Sequence, residues 1–271
     1  MNSESRQPIG LLAGAGDIPP YFARKAFQNG IRLVSIGFTD EIVSQLTPFS
    51  EKTFSIGVGR AGKIFSTLKD ENIKDIIVLG KVDKRIIFKP QIFDLRTIKF
   101  LRDIKNREDK TLLVGMILEM EKEGFRVLDQ RELLREIYPG VGVLTERIPT
   151  QEELEDIEFG LPIAKKLADM EIGQTIVVKG KTVVAAEAVE GTDLAIARGC
   201  AIAKGKCAVI KVSRTDQDYR YDSPGVGPVT IKGCVRGGAS ILALEAGCIM
   251  VADQEKVVEE ANQAGLAVVC V

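Results

Sequence analysis

The sequence predicts an α/β protein of two domains joined by a linker. The N-terminal one is Rossmann-like with a mainly parallel sheet, and the C-terminal one is a mixed α/β domain. Three observations carry this. Apolar runs of strand length alternate with stretches of helical period through the first half, the arrangement of a parallel sheet covered on both faces. A glycine- and proline-containing stretch, Pro139-Gly-Val-Gly-Val-Leu-Thr, interrupts the pattern near the middle. The 271 residues are enough for two cores of ordinary size. The boundary is expected near residue 145, with an N-terminal domain over 1–145 and a C-terminal catalytic domain over 146–271.

Taken in order, Ile9-Gly-Leu-Leu-Ala is a buried strand ending at the loop Gly14-Ala-Gly-Asp. Pro19 and Pro20 suit a helix's first turn, 21–28 supplies its body and Gly30 closes it. A second strand follows over 31–38, a helix over 61–71, and a strand from Asp75 toward Gly80 and Lys81. From 89 to 137 the pattern is mostly helical, broken by a short strand at Gly124-Phe-Arg-Val-Leu. Thr150 and Glu153 form a T-x-x-E capping box that starts the next helix. Two β-rich runs, 174–178 and 182–186, flank Gly180-Lys181 as a hairpin. A helix over 192–204, a strand over 207–212, a polar loop over 213–228, strands near 240–244 and 248–251, a helix over 254–263 and a terminal strand over 266–271 complete the chain.

Composition excludes several chemistries. There is no histidine, so serine–histidine and cysteine–histidine catalysis and histidine bases are ruled out. The five cysteines include no C-x-x-C pair and sit among apolar neighbours, as buried thiols of a reducing compartment do. A net charge of −1 gives no field to gather nucleic acid. The polar start carries no signal core, and no apolar run reaches the roughly 20 residues of a membrane span. The expected location is the cytoplasm.

Chemistry must therefore come from carboxylates, cations, hydroxyls, thiols or a metal. The loop at Gly14, Gly16 and Asp17 has the glycines of a phosphate-binding turn. It fails the G-x-G-x-x-G pattern, because Pro19 stands at the third position. Gly80-Lys81, and Gly57 with Lys63, are further candidate anion contacts. Glu187, Glu190 and Asp193 lie at a strand-to-helix junction. Two readings stand there: oxygen ligands for a hard cation, or a helix cap from Thr192 or Asp193. The loop 216–228 concentrates Asp216, Asp218, Asp222, Arg220 and two tyrosines, as a functional loop or a charged surface loop would. The segment 96–110 alternates basic and apolar residues, which suits a solvated helix face or contact with anionic lipid.

Read together, certain segments resemble the LpxI family of UDP-2,3-diacylglucosamine diphosphatases. They are Gly10-Leu-Leu-Ala-Gly-Ala-Gly-Asp-Ile-Pro, Gly62-Lys-Ile-Phe, Gly80-Lys-Val, Glu121-Lys-Glu-Gly-Phe, Ile172-Gly-Gln, Ala186-Glu-Ala-Val-Glu-Gly-Thr-Asp and Arg220-Tyr-Asp-Ser-Pro-Gly-Val-Gly. The resemblance implies a substrate held between two domains and hydrolysis to UMP and 2,3-diacylglucosamine 1-phosphate in lipid A synthesis. Water would attack the UMP-side phosphorus with Mg2+ or Mn2+ as cofactor. It places the essential aspartate on Asp222, substrate contacts on Gly16, Asp17, Gly80, Lys81, Gln174, Glu187, Thr192 and Arg220, and metal ligands on Asp222, Glu190 and Asp193. A diacylated substrate further implies an apolar crevice and transient contact with the inner membrane face, and a homodimer is compatible with it. Gly225 stands where the family usually carries threonine. The rival readings are a non-catalytic nucleotide-sugar-binding module and a diphosphatase for a soluble nucleotide sugar.

Overall fold

Parallel pairing begins with the first apolar run, because the early strands each feed a helix that returns the chain to the same end of the sheet. The computed structural model describes residues 7–80, 93–103 and 109–271. The chain divides into two compact units, 1–133 and 134–271.

In the first unit, β1 (Ile9–Ala13), α1 (Ile18–Gln28), β2 (Leu33–Gly37), α2 (Asp40–Leu46), β3 (Lys52–Ser55), α3 (Ala61–Asp70) and β4 (Asp75–Leu79) follow one another. Then come α4 (Leu95–Asp103), α5 (Asp109–Lys122), β5 (Arg126–Val127) and α6 (Gln130–Leu133). The five strands are parallel in the order β3-β2-β1-β4-β5. Both faces of β1 and β2 are buried, hence their largely apolar sequences, and the exception, Ser35, meets the Ser50 hydroxyl at 2.7 Å. The sequence pattern assigned neither α2 nor β3. The helix has seven residues, too few to display a period, and stands on its Thr39 cap and two acidic first-turn residues.

The second unit contains β6 (Gly142–Val143), α7 (Gln151–Asp169), β7 (Thr175–Val178), β8 (Val183–Ala186), α8 (Thr192–Ala203) and β9 (Ala208–Lys211). It continues with β10 (Gly225–Val226), α9 (Pro228–Gly237), β11 (Ile241–Leu244), β12 (Met250–Val251), α10 (Gln254–Ala264) and β13 (Ala267–Cys270). Its main sheet runs β6-β13-β11-β9-β7-β8; β9, β11 and β13 are parallel, while β6, β7 and β8 run against their neighbours. Alternate strand residues serve opposite cores. Val177, Val209, Leu242 and Val268 pack with Ile196, Ile231 and Val257 of α8, α9 and α10. Ile176, Ile210, Ala243 and Val269 pack under Ile157 and Ala164 of α7. The capping box is formed as expected: Glu153 N–H donates to the Thr150 hydroxyl at 3.3 Å, and Thr150 N–H to the Glu153 carboxylate at 2.9 Å.

The division into compact units falls at 133/134, and the stretch around 139–145 that reads as a linker in sequence takes part in the second sheet. Gly142 and Val143 pair with β13, Leu144 N–H donates to Val268 O at 2.8 Å, and Pro139 O accepts from Gly247 N–H at 2.8 Å. Helix α9 was not anticipated. Its two glycines, Gly233 and Gly237, weaken any helical signal, and it forms because Ile231 and Cys234 are fully buried. Cys200, Cys207, Cys234 and Cys270 are buried free thiols. Among the described residues, no helix is long and apolar enough to cross a membrane.

Candidate active site

In the N-terminal unit the glycine loop follows β1, at the point where strand order reverses between β1 and β4, the usual ligand position in such sheets. Gly14 N–H donates to Leu79 O at 2.8 Å, which seats the loop against the end of β4. Gly80 has φ +86°, and a Cβ there would lie 2.7 Å from Gly14 O, so only glycine fits. Gly16, at φ +111°, and the exposed Asp17 stand on the same loop beside Gly80. Pro19 and Pro20 withhold two of the N–H groups that a helix start would offer an anion. Lys81 lies outside the described residues.

The second glycine-rich loop already carries an anion of its own. Asp94 accepts from Gly62 N–H at 2.7 Å and from Thr97 N–H at 2.8 Å, while the Thr97 hydroxyl takes Ala61 N–H at 3.1 Å. Burial alone would push the Asp94 carboxyl up, but these hydrogen bonds, with that from Lys63 N–H, outweigh it and hold it below the usual carboxylate range. The start of α3 at Gly57–Lys63 is thus satisfied internally. Of the basic segment, Arg96 lies over the Phe65 ring at 4.5 Å and pairs with Glu123. Lys99, Leu95 and Ile98 are exposed, and Lys105 and Arg107 fall outside the described residues.

The C-terminal unit assembles more chemistry, around the carboxyl ends of β9 and β11. Glu187 follows β8, its N–H bonded to Thr175 O at 2.8 Å. Its Oε1 accepts from the Thr192 hydroxyl at 2.8 Å, and that hydroxyl accepts from Lys211 Nζ at 2.9 Å. Lys211 also reaches the Thr175 hydroxyl at 3.2 Å. Burial pushes the Lys211 ammonium pKa down, and the charges of Glu187 and Asp193 offset part of that. Asp193 accepts from the Thr230 hydroxyl at 3.5 Å. The cap at this junction is Gly191, with no side-chain cap bond, so neither Thr192 nor Asp193 plays that part. Glu190 turns to Arg198 and to Ala188 N–H. Among the described residues, no three Cys, Asp or Glu side chains converge as a metal-ligand set, so Asp222, Glu190 and Asp193 do not form one.

Asp222 sits on the loop after β9. Its Oδ2 accepts from Arg214 Nη2 at 2.8 Å and from Gln217 Nε2 at 2.9 Å; the same Gln217 nitrogen reaches Asp222 O at 2.7 Å. Gln174 Nε2 donates to Gln217 Oε1 at 2.9 Å. The adjacent residues Gln174 and Thr175 therefore tie the Asp222 network to the Lys211–Thr192–Glu187 chain. Arg220 is committed to Asp218 through bonds of 2.9 and 2.7 Å. Gly225 pairs with Met250, and a Cβ there would lie 3.1 Å from Met250 O, so a larger side chain would need a few tenths of an ångström of adjustment. Glu187 Oε2, Arg214 Nε and Ser223 Oγ are buried without a hydrogen-bond partner, so this region holds unspent polar capacity.

The loop is anchored by Glu245, which accepts from Ser213 N–H and Oγ and from Lys165 Nζ, each at 2.7 Å. Burial pushes its carboxyl up, but the Lys165 and Ser213 bonds outweigh that and hold it below its ordinary value of 4.5. A depressed folded-state value stabilises above the unfolded value, and that contribution is lost as pH falls through the folded one. Glu245→Gln is therefore expected to lower Tm at neutral pH and to flatten the decline of Tm with acid below about 4.5. Thermal melts of both proteins across the acid range check this; parallel curves would contradict it.

Sequence reasoning missed Thr175, Lys211, Arg214 and Gln217. A signal existed for one of them: Lys211 interrupts the buried strand Cys207-Ala-Val-Ile-Lys-Val, where a charge needs partners.

Residues 8–137 match the LpxI N-terminal domain and residues 140–269 the LpxI C-terminal domain. A UDP-2,3-diacylglucosamine pyrophosphatase LpxI from Caulobacter vibrioides is 30% identical over 277 residues, covering 96% of each chain. Two solved structures share much less with this chain. A UDP-glucose 4-epimerase from Thermotoga maritima aligns at 13% identity and TM-score 0.30, over 54% of this chain and 42% of its own. An N5-carboxyaminoimidazole ribonucleotide synthetase from the same organism aligns at 13% and 0.24, over 63% of this chain and 38% of its own. With both halves matched by the two domains in their order, the chain belongs to the LpxI family.

Proposed function

We propose that this chain hydrolyses UDP-2,3-diacylglucosamine to UMP and 2,3-diacylglucosamine 1-phosphate in lipid A synthesis, with water attacking the UMP-side phosphorus and Mg2+ or Mn2+ assisting. Family membership supports the substrate. The observation that carries the chemistry is Asp222: in a chain without histidine, its carboxylate is held, among the described residues, through Oδ2 alone. Its Oδ1 remains to accept a proton from water, and the side chain is 45% exposed.

The residues fit a cation completed by substrate. Mg2+ is usually held by one or two carboxylates plus phosphate oxygens rather than by a protein cage. Glu187, with its unspent Oε2, and Asp193 suit that role, while Glu190 is engaged by Arg198. When bound, such an ion neutralises phosphate oxygens and lowers the pKa of water. Arg214, rather than Arg220, is the guanidinium placed beside Asp222 and able to counter charge on the reacting phosphate. Val189, Leu194 and Val229 stand exposed on the segments that carry Glu187, Asp193 and Thr230, and such apolar side chains suit contact with acyl chains.

Incubation of the full chain with UDP-2,3-diacylglucosamine tests this. UMP release is expected with Mg2+, to be abolished by chelator and restored by added metal. In 18O-labelled water the label should enter UMP. Chelator-insensitive release would remove the cation from the reaction, and label in the lipid phosphate would move the attack to the other phosphorus. Binding without release favours a nucleotide-sugar-binding module, and equal turnover of UDP-glucose favours a soluble substrate.

A further inference from the structure

A lysine is rarely buried unless it is directly paired with a carboxylate. Lys211 is 5% exposed at the end of the interior strand β9, and it spends its hydrogen bonds on two hydroxyls instead, those of Thr175 and Thr192. That choice has a directional consequence. A threonine hydroxyl carries one proton and two lone pairs. Once Thr192 Oγ1 accepts from the ammonium, its own proton is free for Glu187 Oε1, 2.8 Å away. The chain of bonds therefore runs one way, from Lys211 through Thr192 to Glu187, and each donor strengthens the next. It ends at a carboxylate whose second oxygen, Oε2, is buried with no partner. A buried acceptor left open at the end of a satisfied chain is costly unless something occupies it in the working protein.

We infer that Lys211 is a positioning residue: acting through Thr192, it fixes Glu187 by Oε1 and so presents Oε2 as the oxygen offered to the ligand. The charges of Glu187 and Asp193 offset the cost of the ammonium, so all three groups stand or fall together.

The activity readout rests on the function proposed above; a second readout does not. Thr192→Val is expected to lower kcat about 10- to 100-fold with little change in KM, the usual scale for groups that orient a site residue. Thr192→Ser, which keeps the hydroxyl, should turn over near the wild-type rate. Lys211→Met should lose kcat similarly, and the double variant Lys211→Met/Glu187→Gln should be no slower than Glu187→Gln alone. Wild-type kcat in Thr192→Val, or losses that multiply in the double variant, would overturn the inference. If Lys211→Met does not fold, the valine–serine pair at Thr192 decides. If the wild-type protein releases no UMP, the proposed function has failed, and the relay is then read from thermal unfolding. The Tm loss in Lys211→Met should shrink when Glu187 is already glutamine, because no carboxylate is then stranded. Strictly additive losses would overturn it.

Discussion

Asp222→Ala is expected to lower kcat by about 10²–10⁴-fold, the range set by loss of a general base, while substrate affinity stays close to wild type. Among the described residues Asp222 makes its side-chain bonds through Oδ2, to Arg214 and Gln217, so under the proposed function Oδ1 is the oxygen offered to water. Alanine removes the acceptor and leaves the scaffold. Asp222 is 45% exposed, so solvent screens the lost ion pair and the stability cost should stay below about 1 kcal/mol. Arg214, at 15% exposed, is then held less firmly, so some weakening at the phosphate can follow. Asp222→Asn separates these effects, since it keeps the shape and removes only the charge and basicity. Rates of UMP release together with direct binding of substrate check both variants. A kcat near wild type in either would remove Asp222 from the chemistry.

Gly173→Ala is expected to damage stability and turnover together. A Cβ at this position would lie 2.1 Å from Glu187 O and 2.6 Å from its carbonyl carbon. Backbone atoms cannot swing aside as a side-chain end can, so the segments carrying Gly173 and Glu187 must separate. That strains the 2.8 Å bond from Glu187 N–H to Thr175 O and the entry to β7. Overpacking of this kind costs about 1–3 kcal/mol. Displacing Glu187 by even about 1 Å should cost on the order of 10²-fold in kcat. Melting temperature and kcat measured on the same preparation check this. A variant that melts and turns over like wild type would mean the backbone approach at Gly173 is not required.

The division between what was legible in sequence and what was not follows the range of the interactions. The strand–loop–helix start, the 174–186 hairpin and the Thr150–Glu153 box depend on residues within a few positions of each other, and local pattern shows them. Helix α9 depends on burying Ile231 and Cys234 against a sheet whose other strands lie on both sides of it in the chain, and local pattern hides it. The same holds at the site. The Arg220–Asp218 and Arg198–Glu190 pairs span short stretches of chain, yet their commitment was invisible until the loop and helix had a shape.

From the sequence alone came the α/β class, the exclusion of histidine chemistry and the ordered motifs that mark the family, because composition and short-range spacing survive without coordinates. Which polar groups face each other was settled only by folding. Lys211, Thr175, Thr192 and Glu187 come from three strands' ends and a helix start, and only sheet register places them within hydrogen-bonding reach. A buried charge must find its partners wherever the packed backbone delivers them, and one-dimensional spacing carries no record of that delivery.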